Sequence, residues 1–223
     1  MKKLSFCEKV QIAISDRSDG NMRVYGDDEP AIIANQSILA DALGAESIAR
    51  LRTIYENRQV FTDYKEVTSN NLSEFLHTQP ESKITVSDGL VTRLEKVGLL
   101  LPLADCIGAV FYHPATKTLG LLHAGRHNLE QHGVEKFVKY LCEEHGCKAS
   151  ELAVYFSPCA RNYQIHGLNN QAMIEAAKNQ LVSSGVNLDN LEESRIDTVT
   201  NPDYPSNSTG DTTERFAILV MLG

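Results

Sequence analysis

Apolar residues fall in short blocks separated by polar stretches that carry glycine and proline, a pattern of alternating strands and helices. Residues 8–15 read as an opening strand, followed by the loop Ser15-Asp16-Arg17-Ser18-Asp19-Gly20-Asn21. Over residues 31–43, Ile32, Ile33, Ile38, Leu39 and Leu43 form the apolar side of a helix that Gly44 ends. A short element at 47–52 precedes the polar segments 57–63 and 67–82, the latter a loop with a short helix at 72–77. Asp88-Gly89-Leu90-Val91-Thr92 then leads into the apolar run 99–103.

Two strands follow at 107–112 and 118–123, and the link His113-Pro114-Ala115-Thr116-Lys117 suits a hairpin. After Ala124-Gly125 the spacing predicts one long helix over 129–145, with Val134, Phe137, Val138 and Leu141 at helical intervals. A strand at 152–156, a helix at 170–183, a polar segment to Gly210 and a last strand at 215–222 complete the chain. There is no repeat and no interdomain linker. The economical reading is one α+β domain over residues 1–223, built on a mixed sheet.

Composition narrows the function classes. The 223 residues are 42% apolar and 22% charged, ordinary for a globular chain with a sizeable core, and the net charge of -8 opposes binding to nucleic acid or an anionic membrane. The longest apolar window, 97–110, is too short to span a bilayer and contains Asp105. The start, Met1-Lys2-Lys3-Leu4-Ser5-Phe6-Cys7, has the positive flank of an export signal without its apolar core. Five cysteines (7, 106, 142, 147 and 159) form no CxxC pair, so reduced thiols in a cytoplasmic protein are expected. Cys142 and Cys147 read as the end of the long helix, closed by Gly146, in preference to a structural metal site.

Chemistry concentrates in Leu103-Ala104-Asp105-Cys106 and, seventeen residues after Cys106, His123-Ala124-Gly125. A thiol and an imidazole ending neighbouring apolar runs are either a nucleophile with its base or two ligands of a soft metal such as Zn²⁺. His127, just beyond the glycine, can shuttle a proton or stabilise an anion, and His132 is a spare imidazole. Arg17 and Arg126 are candidate phosphate or carboxylate binders, and Tyr163 a candidate pocket wall. There is no P-loop, Rossmann glycine pattern, GxSxG or HExxH.

In order along the chain, Ser15 to Met22, Asn35, Asp88-Gly89-Leu90-Val91-Thr92, Ala104-Asp105-Cys106, His123-Ala124-Gly125, the 158–163 segment and Arg215-Phe216-Ala217 resemble the laccase-domain family, also called the multicopper polyphenol oxidoreductase family. The resemblance covers almost the whole chain. It implies a mixed β-sheet sandwich flanked by helices, in a cytoplasmic protein similar to purine nucleoside phosphorylases with adenosine deaminase side activity. It also implies a zinc site of one Cys and two His, of which Cys106 and His123 match. Where the family carries Gln-Val-His-Gly, this chain has Gln59-Val60-Phe61-Thr62, and Phe61 neither ligates zinc nor takes a proton. His127 and His77 are the candidate substitutes. Arg126-His127-Asn128 stands where the family continues with Trp-Arg-Gly, and its Ser-Tyr-Arg-Arg feature is not recognisable over 206–213.

The resemblance thus points to phosphorolysis of adenosine or inosine, with possible adenosine deamination, at a Cys106/His123/His127 site that takes a purine nucleoside and phosphate. Two alternatives stay open: a non-catalytic nucleotide- or partner-binding relative that has lost a metal ligand, and a metal-independent Cys/His amide hydrolase. Copper-based polyphenol oxidation has too few spaced His residues.

Overall fold

The computed structural model describes residues 1–23, 28–210 and 213–223. The chain opens with strands β1 (Lys2–Phe6) and β2 (Val10–Ile14), helix α1 (Glu29–Leu43), then β3 (Ser47–Arg50), β4 (Tyr64–Val67) and β5 (Gly89–Thr92). Its centre is β6 (Val97–Leu103), β7 (Ile107–His113) and β8 (Thr118–Ala124), followed by helices α2 (Arg126–Glu130) and α3 (Gly133–His145). It closes with β9 (Ala153–Phe156), the short pair β10 (Gln164–Ile165) and β11 (Gln171–Ala172), helix α4 (Met173–Ser183), β12 (Leu191–Glu193) and β13 (Phe216–Leu222).

Two mixed sheets result, one ordered β1-β2-β13-β6-β3 and the other β12-β9-β7-β8-β5-β4. β6, β7, β8 and β13 are buried along their full lengths apart from Pro102, as strands covered on both faces must be. Ile12, Leu99, Leu101 and Ile218 of the first sheet share one core cluster with Val110, Leu119, Leu121 and Tyr155 of the second. Leu39 and Ala40 of α1 cover the first sheet's other face, against Leu100 and Leu219. α2, α3 and α4 cover the second through Leu129, Phe137 and Ala177, which pack with Phe111 and Phe156. The β-sheet sandwich flanked by helices is borne out, and its centre is the β6–β7–β8 run in which β6 and β7 belong to different sheets.

That sheet-to-sheet passage is the tight turn Ala104-Asp105-Cys106. Asp105 sits at φ 79°, a left-handed conformation that costs most residues energy. The turn is held from three directions: the Asp105 carboxylate accepts from Thr198 Oγ1 and the Ser208 amide, each at 2.7 Å, and its carbonyl accepts from the Ala160 amide at 2.8 Å.

Local signals explain most boundaries. Asp28 caps α1 by accepting from the Ala31 amide, and Gly44 ends the helix at φ 72°. Along α1, Ile38 is exposed, contrary to the expected apolar side; Gln36 is buried instead, donating to the Met22 carbonyl. The single helix expected over 129–145 is two. His132 adopts φ 58°, and a Cβ on Gly133 would lie 2.1 Å from the Asn128 side chain, so the chain turns where that amide crosses it. Cys142 and Cys147 flank the Gly146 cap, as the pattern suggested. Between the polar segments 57–63 and 67–82 the chain forms β4, which pairs in parallel with β5, and the helix expected at 72–77 is one turn at Leu72–Glu74. Among the described residues no helix is long and apolar enough to cross a membrane.

Candidate active site

The β7–β8 hairpin brings the two motifs together. Its register sets Ile107 opposite Ala124 and Gly108 opposite His123, so Cys106 and Gly125 face each other at the open end. A Cβ on Gly125 would lie 2.8 Å from Cys106 Sγ and 3.4 Å from His123 Nε2, so thiol and imidazole close over the glycine. The Arg126 main-chain N–H favours the charged form of the Cys106 thiol.

Both groups line a cavity of about 600 Å³, together with Tyr163, Arg126 and His127, which the sequence had singled out. Arg17 is not among its walls: its Nε donates to the Pro202 carbonyl at 2.9 Å and its guanidinium pairs with Glu214. Arg23 and Arg215 stand in the cavity instead. Arg215 entered the sequence reading only through the Arg215-Phe216-Ala217 match, and Arg23 not at all. Asp211 and Thr212, in the 206–213 segment, lie outside the described residues.

Three aromatic rings make another wall. Phe61 stacks on His127, centroids 4.7 Å and planes 19° apart, and Tyr55 lies 5.8 Å from Phe61 and 6.1 Å from His127. The Tyr55 hydroxyl is 3.3 Å from His123 Nε2. Sequence reasoning missed Tyr55, since one tyrosine in a polar segment carries no periodic or motif signal. It also missed the brace behind this wall. Arg58 lies over the Phe61 ring at 5.3 Å and donates to both carboxylate oxygens of buried Asp88, at 3.1 and 2.6 Å. The Asp88 carbonyl in turn accepts the His123 amide at 2.8 Å, which gives the Asp88-Gly89 motif a positioning role. Asn128 donates to the Phe61 carbonyl at 2.8 Å.

Burial decides the protonation states. It pushes the Cys106 thiol up to about 12, reinforced by Asp105 and opposed by Arg215 and Arg126. It lowers His123 to about 4, and the positive charges of Arg58 and Arg215 add to the effect. Near neutral pH the pair is therefore thiol and neutral imidazole, a poor nucleophile beside a poor base, which weighs against the amide-hydrolase alternative.

The donor set does not fit the expected zinc site. Cys106 and His123 converge, but Phe61 supplies no third donor. The Nε2 of His127 accepts from Arg126 Nη2 at 3.1 Å. His77 lies outside the cavity walls, bonded to Ser37 Oγ at 3.1 Å, and His132 pairs with Glu135 at 3.4 Å. Among the described residues no group of three or more His, Cys, Asp or Glu side chains is placed to hold a metal ion.

A family model described as multi-copper polyphenol oxidoreductase laccase matches residues 15–172. No curated protein matches the chain. Among solved structures, the Bacillus licheniformis hypothetical protein YfiH shares 17% identity at a TM-score of 0.84, over 96% of this chain and 93% of that one. YlmD from Geobacillus stearothermophilus shares 19% identity at a TM-score of 0.77, over 96% and 91% of the two chains. Neisseria meningitidis protein NMB0706 shares 17% at 0.77, over 99% and 98%. At these identities the likeness is one of fold.

Proposed function

The chain belongs to the multi-copper polyphenol oxidoreductase laccase family, and on that premise we propose that its cavity binds a purine nucleoside with phosphate and catalyses phosphorolysis. The observation that carries this reading is the meeting of two surfaces in one cavity. Tyr55 and His127 offer rings to a flat base, with Phe61 stacked on His127, and Arg23, Arg126 and Arg215 offer guanidinium groups to an oxyanion. The acidic residue among the walls, Asp105, has its carboxylate engaged by Thr198 and Ser208, and its charge is outnumbered by those of Arg23, Arg126 and Arg215.

Phosphorolysis suits this donor set better than deamination does. Hydrogenphosphate attacks ribose C1′, the C1′–N9 bond breaks, and the proton released by the phosphate ends on the departing purine. The balance needs no activated water. The work is then positioning and charge neutralisation, which arginines and a preorganised pocket supply. Deamination needs hydroxide at the purine ring, a demand that a three-ligand metal serves by lowering the pKa of water.

The direct test is to incubate the chain with adenosine, inosine or guanosine and follow free base by chromatography. Base release that requires phosphate, and a phosphate KM that rises at least about tenfold in Arg126→Ala, is the expected result. A second reading, binding without turnover, is favoured by Phe61 in the position of the third ligand; calorimetric nucleoside binding with no base release would select it. Neither binding nor turnover at millimolar nucleoside would reject both.

A further inference from the structure

The Cys106–His123 pair has a neighbour that neither motif contains. The Tyr55 ring lies among Phe61, His127 and His123, whose centroids are 5.8, 6.1 and 6.2 Å away. Its oxygen lies 3.3 Å from His123 Nε2. We propose that Tyr55 takes the place of a metal ion at His123: Tyr55 donates to Nε2, and the imidazole is held as its Nδ1–H tautomer beside the Cys106 thiol.

Three observations carry the assignment. A zinc ion would sit about 2 Å from Nε2 along its lone pair, the space the phenol reaches into. The other side chains that could complete a coordination sphere are committed: His127 Nε2 to Arg126, and the Asp105 carboxylate to Thr198 and Ser208. Phe61, which stands where the resemblance puts the third ligand, offers only carbon atoms and is stacked on His127. Conversion of Tyr55 itself into a phenolate ligand is opposed by burial of its hydroxyl, which raises its pKa. Tyr55 is in this sense a positioning residue: it fixes the tautomer and orientation of His123 whatever ligand enters the cavity, so the inference does not depend on the nucleoside reading.

The test uses the full chain without a histidine tag. After incubation with excess zinc sulfate and gel filtration, elemental analysis should find less than about 0.1 zinc per chain. Long-range ¹H–¹⁵N spectra, with His123 assigned through His123→Gln, should show Nδ1 protonated and Nε2 bare, and Tyr55→Phe should move the Nε2 resonance. Half of Tyr55 is exposed, so that variant is expected to fold. About one zinc per chain, lost in Cys106→Ala and in His123→Ala, would overturn the proposal. So would an Nε2-protonated His123, or an Nε2 resonance unchanged in Tyr55→Phe. Nucleoside assays do not enter these readouts, so failure of the phosphorolysis reading and failure of this one are separable.

Discussion

Phe61 lies flat on His127, centroids 4.7 Å apart, while the Arg58 guanidinium covers Phe61 at 5.3 Å from its ring centre. Guanidinium, phenyl and imidazole form one stack along the cavity wall, tied to the sheet through Asp88. Phe61 is 6% exposed, so its ring works as a core side chain as well as a wall. Phe61→Ala should therefore cost about 3 kcal/mol in urea unfolding, with Phe61→Leu at less than half of that. Equal losses in the two variants would show that the stack, and not buried volume, sets the cost.

Gly125 is the point where Cys106 and His123 meet. An alanine methyl would press on Cys106 Sγ at 2.8 Å and His123 Cε1 at 3.0 Å. Gly125→Ala should lower stability by about 1–3 kcal/mol, the usual cost of overpacking, and reduce phosphate-dependent base release at least about tenfold. Unchanged turnover would place the reacting groups elsewhere in the cavity.

Asp105 combines a left-handed backbone with two side-chain hydrogen bonds across the sandwich. Asp105→Ala loses both bonds and retains the strained φ, so about 2–4 kcal/mol of destabilisation is expected. Asn tolerates the left-handed region and keeps an acceptor for Thr198 or Ser208; Asp105→Asn should lose less than Asp105→Ala in the same denaturation series.

Acid should weaken the fold through His123. Its pKa in the folded chain is about 4, below the unfolded value of about 6.5, so the unfolded chain binds the proton first as pH falls. Stability from this group is complete above about pH 6.5 and drains away towards pH 4, with about 2 kcal/mol lost by pH 5. Urea midpoints at pH 7, 6 and 5 measure the loss, and His123→Gln should flatten that part of the profile. An identical slope in the variant would assign the effect to other groups, such as His77 and His145, whose pKa values burial also lowers.

The Cys106 thiol, pushed up to about 12, should react with iodoacetamide at pH 8 more than about 100-fold more slowly than a free cysteine. Peptide mapping of a labelling time course reads this directly. Rapid labelling at Cys106 would revive the nucleophile alternative.

Much of this arrangement is legible from residue order. The apolar runs at 107–112 and 118–123 read as two strands whose short polar link suits a hairpin, whereas the run 99–103 showed itself as a strand, β6, only in the structure. That hairpin alone sets Cys106 against His123, because antiparallel register is local information. The break at Gln131 and His132 was not legible, since the periodicity of 129–145 continues across it; the close approach of the Asn128 amide to Gly133 imposes it. Arg17 illustrates the same limit. Its loop contains a capped 3-10 turn, Arg17–Asp19, and whether its guanidinium faces a cavity or a neighbouring Glu214 depends on where residues 202 and 214 fold back.

The sequence by itself determined the β7 and β8 strands that bring Cys106 near His123, the helices α1 and α4, and the lack of a histidine at Phe61, since each rests on local pattern or on residue identity. The tertiary structure decided what surrounds that pair. Tyr55 on His123 Nε2, Arg23 and Arg215 in the cavity, and Arg58 braced on Asp88 join segments far apart in the chain. Such contacts follow from the packing of two sheets and have no periodicity along one strand or helix to announce them.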